Sequence, residues 1–270
     1  MMKFFVNLPI PLQILFWVLT SVLLSYLLIR LTHRIISFES RRKHHEEVGF
    51  IFSVIGIFAS LVIASVLVMA ISHYEKAREA IEAEAKAVGD VTRAARALSP
   101  ALASSMYGSL NEYLTAVAHL EWEYEHRDKY LDTERDSLNR LGLVISKYEP
   151  RTSRETNYHA QLLSSLTDLY GARRVRSFSA HKVITPEIWG ITLPISILTV
   201  FFCCLFAHES RSLHLFMTSI LAISMSAVFA LIFIFDSPYH GKAAISNEPY
   251  LTIINHMTAN NAWFLKHAND

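Results

Sequence analysis

The sequence predicts an all-α membrane protein with four transmembrane helices in a 2 + 2 arrangement and a helical-bundle extramembrane domain between the second and third. Four stretches are apolar enough and long enough to cross a bilayer, which takes about 20 residues. They run from Ile10 to Leu31, Val48 to Ile71, Ile188 to Phe206 and Leu213 to Phe235, and none contains Asp, Glu or Lys. Charged residues are concentrated instead between residues 72 and 187. This pattern excludes a soluble enzyme and restricts the function to processes at or through a membrane.

The first apolar stretch lies near the N-terminus behind a single Lys3, so a cleaved signal peptide is the alternative. Its apolar core exceeds the roughly 7 to 15 residues of a signal peptide, and no small-x-small cleavage site follows before Arg30. We therefore predict a retained helix. The expected organisation is a first transmembrane helix pair, an extramembrane bundle, a second transmembrane pair and a C-terminal tail, at residues 1–71, 72–187, 188–235 and 236–270.

The polar block between the helix pairs is predicted to be helical throughout. It has few helix breakers, and Pro100, Pro150 and Pro186 fall at the expected joints. Apolar residues recur every three, four or seven positions, which is typical of amphipathic helices. One such stripe continues the second span as far as Leu98, and three more helices follow it, the last capped by Thr152 or Ser153. Short joints between four amphipathic helices favour an antiparallel bundle.

Composition limits the chemistry. A net charge of +1 argues against a nucleic-acid partner, since phosphate binding needs a strong basic excess. The only cysteines, Cys203 and Cys204, are adjacent inside the third span, which excludes a disulfide framework. The sequence has no Gly-rich phosphate loop, no His-Glu-x-x-His motif and no Gly-x-Ser-x-Gly motif. We expect neither an enzyme nor a bound cofactor.

Histidines are numerous, at 13, but do not predict a metal site. His44 and His45 are adjacent, so on a helix their side chains diverge by about 100°. His119, Glu123 and His126 share a helical face, but no third segment is placed to complete a ligand set. We interpret both groups as solvated helix surfaces.

The second span carries small residues along one face and large apolar residues along another. Small residues allow helices to approach closely, which is one interpretation of the pattern. The other is that this helix lines an ion path, with serine hydroxyls facing ions or water and a large apolar side chain forming a constriction that gates by dewetting. The candidate pore-lining residues are Ser53, Gly56, Ile57, Phe58, Ser60 and Ala64.

Five further residues are candidates for a vestibule or for a structural role. Glu121 and Trp122 suit either a charge held inside the bundle beside an aromatic anchor or a plain exposed charge. Arg173 and Arg176, near the end of the last bundle helix, could attract anions, compensate the helix dipole or contact lipid phosphates. Asp236 follows the fourth span, where we expect it to cap the next turn, with ion coordination as the alternative.

A series of short matches relates the chain to a known family. They keep their order and their spacing relative to the four spans, and include Glu47-Val48-Gly49-Phe50, Tyr74 with Ala77, Glu121-Trp122, Pro186 with Trp189, and Asp236-Ser237-Pro238-Tyr239-His240-Gly241. These segments resemble a bacterial family with a bestrophin-like domain of unknown function. That family is similar in layout to the bestrophins, which have four spans, a large helical insert and a Pro-aromatic-Gly turn after the fourth span.

The resemblance implies a function. Bestrophins are oligomeric ion channels whose pore is lined by the second span, so we expect a homo-oligomer, either tetramer or pentamer, that conducts inorganic ions across the bacterial inner membrane and contacts membrane lipid. His240 interrupts the turn, and no acidic run follows Gly241, which argues against calcium gating. The alternative is a non-conducting membrane sensor or scaffold whose bundle recruits partners.

Two observations on orientation disagree. Five basic residues lie between Arg30 and Lys43, and the positive-inside rule then puts this loop in the cytoplasm and the bundle outside. The resemblance to bestrophins implies the reverse, and basic residues also flank the bundle on both sides. We expect a cytoplasmic bundle.

Overall fold

The computed structural model describes residues 9–120, 127–239 and 241–267. Within these ranges the chain forms nine helices and no strand, which confirms the all-α prediction. Four of the helices, α1, α3, α7 and α8, are long and apolar enough to cross a membrane. In chain order the helices are α1 (Ile10–Ile35), α2 (Phe38–Lys43), α3 (His45–Leu98), α4 (Pro100–Leu120), α5 (Arg127–Ser146), α6 (Ser153–Ser179), α7 (Pro186–Cys204), α8 (Arg211–Phe235) and α9 (Glu248–His267).

The chain divides into two compact units. Unit 1 comprises Met1–Tyr74, Lys182–Ser237 and Gly241–Ala243, and unit 2 comprises Glu75–His181, Pro238–His240 and Ala244–Asp270. The helix α3 is unbroken from His45 to Leu98, as the continuous apolar stripe predicted, and it contributes residues to both units.

Unit 1 contains the apolar helices. In it α1 packs against α7 and α8, and α7 packs against α8. One face of α3 joins this group through Ile63, Val66 and Ala70, which are buried with Phe229 and Ile232 of α8. The indole of Trp17 stacks on the ring of Phe229, with centroids 6.3 Å apart. Burying apolar side chains between helices leaves the remaining faces of α1, α3 and α8 available to lipid or to other chains.

Unit 2 is a helical bundle. Its helices α4 and α5 pack together, α9 packs on α4, and α6 packs on α5. The predicted stripes form its core, in which the largest fully buried apolar side chains are Ile81, Met106, Leu110, Leu114, Leu138, Leu141 and Ile145. The C-terminal tail adds a helix, α9, that the sequence analysis did not assign. Its Asn247 side chain, just before the helix, donates to the carbonyl of Ala118 at 3.1 Å.

Local sequence explains where the bundle helix α6 begins. The Thr152 hydroxyl accepts a hydrogen bond from the Glu155 N–H at 3.1 Å, so Thr152 rather than Ser153 is the N-cap. The Glu155 carboxylate in turn accepts from the Arg151 N–H at 2.7 Å. This reciprocal pair resembles a capping box, which satisfies backbone donors that the helix start would otherwise leave unpaired.

Candidate functional site

The second span presents one long exposed face in unit 1. Phe50, Ile57, Phe58, Leu61 and Val68 are each at least 60% exposed. The opposite face of the same helix is buried and includes Ile63 and Val66. Phe50, Ile57, Leu61 and Val68 lie four or seven positions apart and Phe58 lies beside Ile57, so the five residues form a stripe along the helix. Nothing within the described part of unit 1 covers this stripe.

The six predicted pore-lining residues lie on or beside this stripe. Ser53, Ile57, Phe58, Ser60 and Ala64 are exposed and Gly56 is half-buried. A Cβ added at Gly56 would meet no atom within 4 Å, so packing inside the chain does not require a glycine at this position. The hydroxyls of Ser53 and Ser60 donate to their own helix, to Gly49 O at 2.9 Å and Ile57 O at 2.8 Å. Their oxygens keep lone pairs that can accept from water or contact a cation.

A second set of residues forms a buried charge cluster in unit 2. At its centre the guanidinium of Arg176 is 1% exposed and bridges two carboxylates. Its Nε donates to Glu84, and its Nη2 donates to Glu134 Oε1 at 2.7 Å. Arg173 also donates to Glu134. The cluster therefore pairs two carboxylates with two guanidinium groups, which is the condition for holding charges out of water.

Two tyrosines complete the hydrogen bonding of Glu84. Tyr113 donates its hydroxyl to one carboxylate oxygen, and Tyr250 donates to the other at 2.6 Å. Burial, and next the negative charge of Glu84, raise the pKa of both phenols well above the ordinary value of 10.0. Despite burial, the two carboxylates hold the pKa of Arg176 well above its ordinary value. The two phenols and the guanidinium therefore hold their protons more tightly than the same groups do in water.

The cluster joins all five helical segments of unit 2. Glu84 comes from α3, Tyr113 from α4, Glu134 from α5, Arg176 from α6 and Tyr250 from α9. Because hydrogen-bonded charge pairs accept only narrow geometries, this arrangement fixes the rotation of each helix. Both carboxylates are paired with guanidinium groups, although the buried Oε2 of Glu134 has no hydrogen-bond partner among the described residues, and this closed arrangement suits positioning of helices rather than binding of a ligand.

The structure assigns different surroundings to the predicted arginines than the sequence analysis did. Arg176 was interpreted as a vestibule, dipole-compensating or lipid-facing residue, but its side chain is buried between Glu84 and Glu134 and faces no lipid. Arg173 is partly exposed and shares Glu134. Glu121 and Trp122, the other bundle candidates, lie outside the described residues.

Asp236, the remaining candidate, binds a different segment from the one expected. It was predicted to cap the turn that follows it. Its buried Oδ1 instead accepts the backbone N–H groups of Val183 and Ile184, at 3.1 and 3.0 Å, and Lys182 Nζ lies 3.9 Å from Oδ2. Burial raises the pKa of Asp236, and the hydrogen bonds and Lys182 oppose that rise. The carboxylate therefore ties the end of α8 to the segment before α7 within unit 1.

Comparison with known proteins identifies the family. A family model described as Bestrophin-like domain matches residues 19–250, which is most of the chain. The chain belongs to the Bestrophin-like family. No curated protein matches it. The match to the family model confirms the family predicted from the short ordered matches, which is a family of membrane proteins.

Solved structures share the fold of this Bestrophin-like chain. A bacterial bestrophin homologue from Klebsiella pneumoniae is 17% identical, with a TM-score of 0.67 over 92% of this chain and 98% of that one. A single-substitution variant of a bestrophin homologue from the same organism is 15% identical, with a TM-score of 0.68 over 93% and 99%. A structure described as a membrane protein is 16% identical, with a TM-score of 0.68 over 92% and 98%. At these identities the likeness establishes a common fold.

The sequence analysis of this Bestrophin-like chain missed four members of the charge cluster: Glu84, Tyr113, Glu134 and Tyr250. A signal for the carboxylates was present. Glu84 lies between Ile81 and Val88 in the apolar stripe of α3, and Glu134 precedes Leu138 in that of α5, at the same three- and four-residue steps. A carboxylate on an apolar stripe is either exposed at the rim or buried and paired.

Within the part of the chain that the structure describes, no group of three or more His, Cys, Asp or Glu side chains is arranged to hold a metal ion. The two cysteines are free thiols.

Proposed function

We propose that this Bestrophin-like chain assembles with copies of itself into an ion channel in which α3 lines the conducting path. The observation that carries the proposal is the uncovered stripe of α3, which combines large apolar side chains with small and hydroxyl-bearing ones. Bestrophins, the relatives that the sequence resembles, form oligomeric ion channels. A ring of identical chains would bring one copy of the stripe from each subunit to a common axis.

The composition of the stripe favours a protein or water environment over lipid alone. Small residues such as Gly56 and Ala64 promote helix association only where another helix can approach them. The hydroxyl oxygens of Ser53 and Ser60 can accept hydrogen bonds from water or contact cations. We infer that Ile57 and Phe58, which are 62% and 60% exposed, form an apolar constriction that stops flow by dewetting.

The decisive experiment combines assembly and flux. The full chain, reconstituted into liposomes, should release or take up monovalent ions, and its mass in detergent should be a fixed multiple of the chain mass. Gly56→Leu should abolish flux or assembly while leaving the subunit folded, because a Cβ added at this position meets no atom of its own chain within 4 Å. Gly190→Leu is the matched control, since Gly190 also has nothing within 4 Å and lies in another span, α7.

The outcomes separate clearly. Absence of flux under all salts and pH values tried, in a folded oligomer, would favour the non-conducting alternative. A monomer would refute the channel. Equal loss of flux in both glycine variants would refute the assignment of the path to α3.

One observation supports the sensor or scaffold as second candidate. The bundle helix α6 exposes large apolar side chains, Leu163, Val175 and Phe178, the last of them 70% exposed. Apolar residues of this size on a surface suit a protein partner as well as a neighbouring subunit. This candidate would be supported if the folded chain conducted no ions but bound a partner protein, and if that binding required Phe178.

We propose that the bundle is cytoplasmic and that the membrane is the bacterial inner membrane. A cysteine at Ser164, which is exposed on α6, should react with an impermeant maleimide in lysed cells and not in intact ones. Ser137→Cys is the negative control, because Ser137 is fully buried and should not react in either preparation. Labelling of Ser164→Cys in intact cells would place the bundle outside.

A further inference from the structure

A group of basic side chains meets at one end of unit 1. His33 lies near the end of α1, Arg41 in α2, His208 between α7 and α8, and His214 in the first turn of α8. The ring centroids of His33 and His214 are 5.6 Å apart, and those of His208 and His214 are 4.9 Å apart. Arg41 acts electrostatically on both His33 and His214. We call His33, Arg41, His208 and His214 the basic pocket.

Arg41 is a buried cation that has no ion-pair partner among the described residues. Its side chain is 5% exposed, and no carboxylate in the described part of the chain forms an ion pair with it. Its contacts are one long hydrogen bond from Nη1 to the carbonyl of Phe206, at 3.4 Å, and the ring of Phe38, whose centroid is 6.0 Å from the guanidinium carbon. The Nε atom is buried and has no hydrogen-bond partner. Burial lowers the pKa of Arg41, as expected for a cation removed from water.

The imidazoles beside Arg41 also carry unused nitrogens. His214 is 1% exposed, and its Nε2 lies 3.3 Å from the carbonyl of Cys203, which assigns the N–H to that nitrogen in the neutral ring. Its Nδ1 is buried without a partner, and so is His33 Nε2. Buried polar atoms are almost always hydrogen-bonded, so three unpaired nitrogens on three elements point to a missing common partner.

We propose that the basic pocket binds a phosphate group, supplied by a lipid headgroup or by free phosphate. A guanidinium recognises phosphate oxygens through directed hydrogen bonds, and Arg41 still has its Nε–H to offer. Free phosphate can donate its own proton to His214 Nδ1. A lipid phosphodiester has no proton to donate, so beside it His214 would take up a proton from water and donate from Nδ1 to a phosphate oxygen, and the other imidazole N–H groups can donate to the remaining oxygens. The anion would supply the counter-charge that the described residues do not give to Arg41. This site is independent of the proposed ion path.

The position of the basic pocket within unit 1 suits a headgroup. It lies where α1 ends and α8 begins, at the ends of apolar helices, and therefore at the level of a membrane surface. Arg34 and Arg211, which are exposed and adjoin His33 and His214 in the sequence, add positive charge that attracts anionic lipids.

The test uses the full chain purified in dodecyl maltoside micelles. The melting temperature is measured with potassium phosphate against potassium chloride of equal ionic strength, and with micelles doped with phosphatidylglycerol against diacylglycerol, which lacks the phosphate. Native mass spectrometry counts the bound phospholipid. We expect Arg41→Gln to lower phosphate or phospholipid binding at least tenfold. Arg42→Gln, which removes the same charge from an exposed neighbour, should leave binding unchanged.

The two ligand comparisons distinguish a lipid headgroup from free phosphate, and either the ligands or the variants can refute the proposed site. Stabilisation by phosphatidylglycerol alone identifies a headgroup, and stabilisation by both ligands shows that phosphate alone suffices. No stabilisation of the wild-type chain by either ligand overturns the proposal, as does equal binding by Arg41→Gln and wild type. If Arg41→Gln does not fold, His214→Gln replaces it, because Gln keeps an N–H for Cys203 and removes only Nδ1. Unchanged binding in that variant would also overturn the proposal.

Discussion

Replacing Arg176 with Met should destabilise the bundle by about 3–5 kcal/mol, the range for breaking a buried charge pair by removing one partner. Met fills much of the same volume, so a cavity contributes little. The cost arises because Glu84 and Glu134, which are 0% and 1% exposed, lose a shared cation. Glu84 keeps its two tyrosine donors and Glu134 keeps Arg173, which places the expected value near the lower end, about 3 kcal/mol.

The assay is unfolding in mild detergent, followed by far-ultraviolet circular dichroism, with hydrogen exchange to assign the loss to α6 and α9. A loss of this size should lower the melting temperature by several degrees, at about 2–4 °C per kcal/mol for a chain of this length. Arg174→Met is the matched control. Arg174 is exposed on the same helix, so its loss should change stability by no more than about 0.5 kcal/mol.

A double variant tests the cause. Adding Glu84→Gln to Arg176→Met removes the carboxylate that the first change left unpaired, so the double variant should be more stable than Arg176→Met alone. Equal stability of the Arg176→Met and Arg174→Met variants would refute the reasoning. Simple additivity in the double variant would show that the two side chains do not act as a pair.

Three further predictions concern other parts of the chain. Phe58→Ala should raise ion flux in liposomes by widening the proposed constriction, and unchanged or lost flux in a folded oligomer would count against a gate at this position. Asp236→Ala should cost about 1–3 kcal/mol by leaving two backbone N–H groups unpaired, whereas Asp236→Asn keeps an acceptor and should cost less; equal melting temperatures would contradict this role. Tyr113 and Tyr250 have raised pKa values in the folded chain, so they keep their protons at a pH where the unfolded chain releases them. The free energy of unfolding should therefore fall as pH rises above about 10, and Tyr250→Phe should make this fall less steep. An equally steep fall in the variant and the wild type would contradict the raised pKa.

Much of the fold was predictable because long apolar stretches and regular stripes depend on local sequence. The first, third and fourth spans begin and end within four residues of the ends of their helices, and the stripe after the second span correctly predicted that α3 continues unbroken to Leu98. The helix α9 was missed because its residues are not uniformly apolar, although Asn247 followed by Glu248 and Pro249 is a helix-start signal. It is held by tertiary contacts, such as Tyr250 to Glu84 and Asn247 to Ala118, that join residues far apart in the chain.

The candidate sites were less predictable from the sequence than the helices were. Periodicity predicts which face of a helix is buried, and it correctly marked the face of α3 that carries Glu84, but it does not say which helix lies opposite. Glu84 and Arg176 are 92 positions apart, so nothing local could pair them.

The partner of Asp236 was missed for the same reason. From sequence alone, a carboxylate just after a helix is interpreted as a cap of the turn that follows it.

A charged residue on an apolar stripe carries more information than its neighbours. It has to be paired if buried, and the most economical partner is an opposite charge that also interrupts a stripe. Arg176 continues the stripe of Leu162, Leu166 and Leu169 on α6 at the same helical steps, as Glu84 and Glu134 do on theirs. Three such interruptions in one predicted bundle, two acidic and one basic, indicate a shared buried cluster. Had Arg176 been compared with these carboxylates rather than with the helix end, its burial would have followed from the sequence.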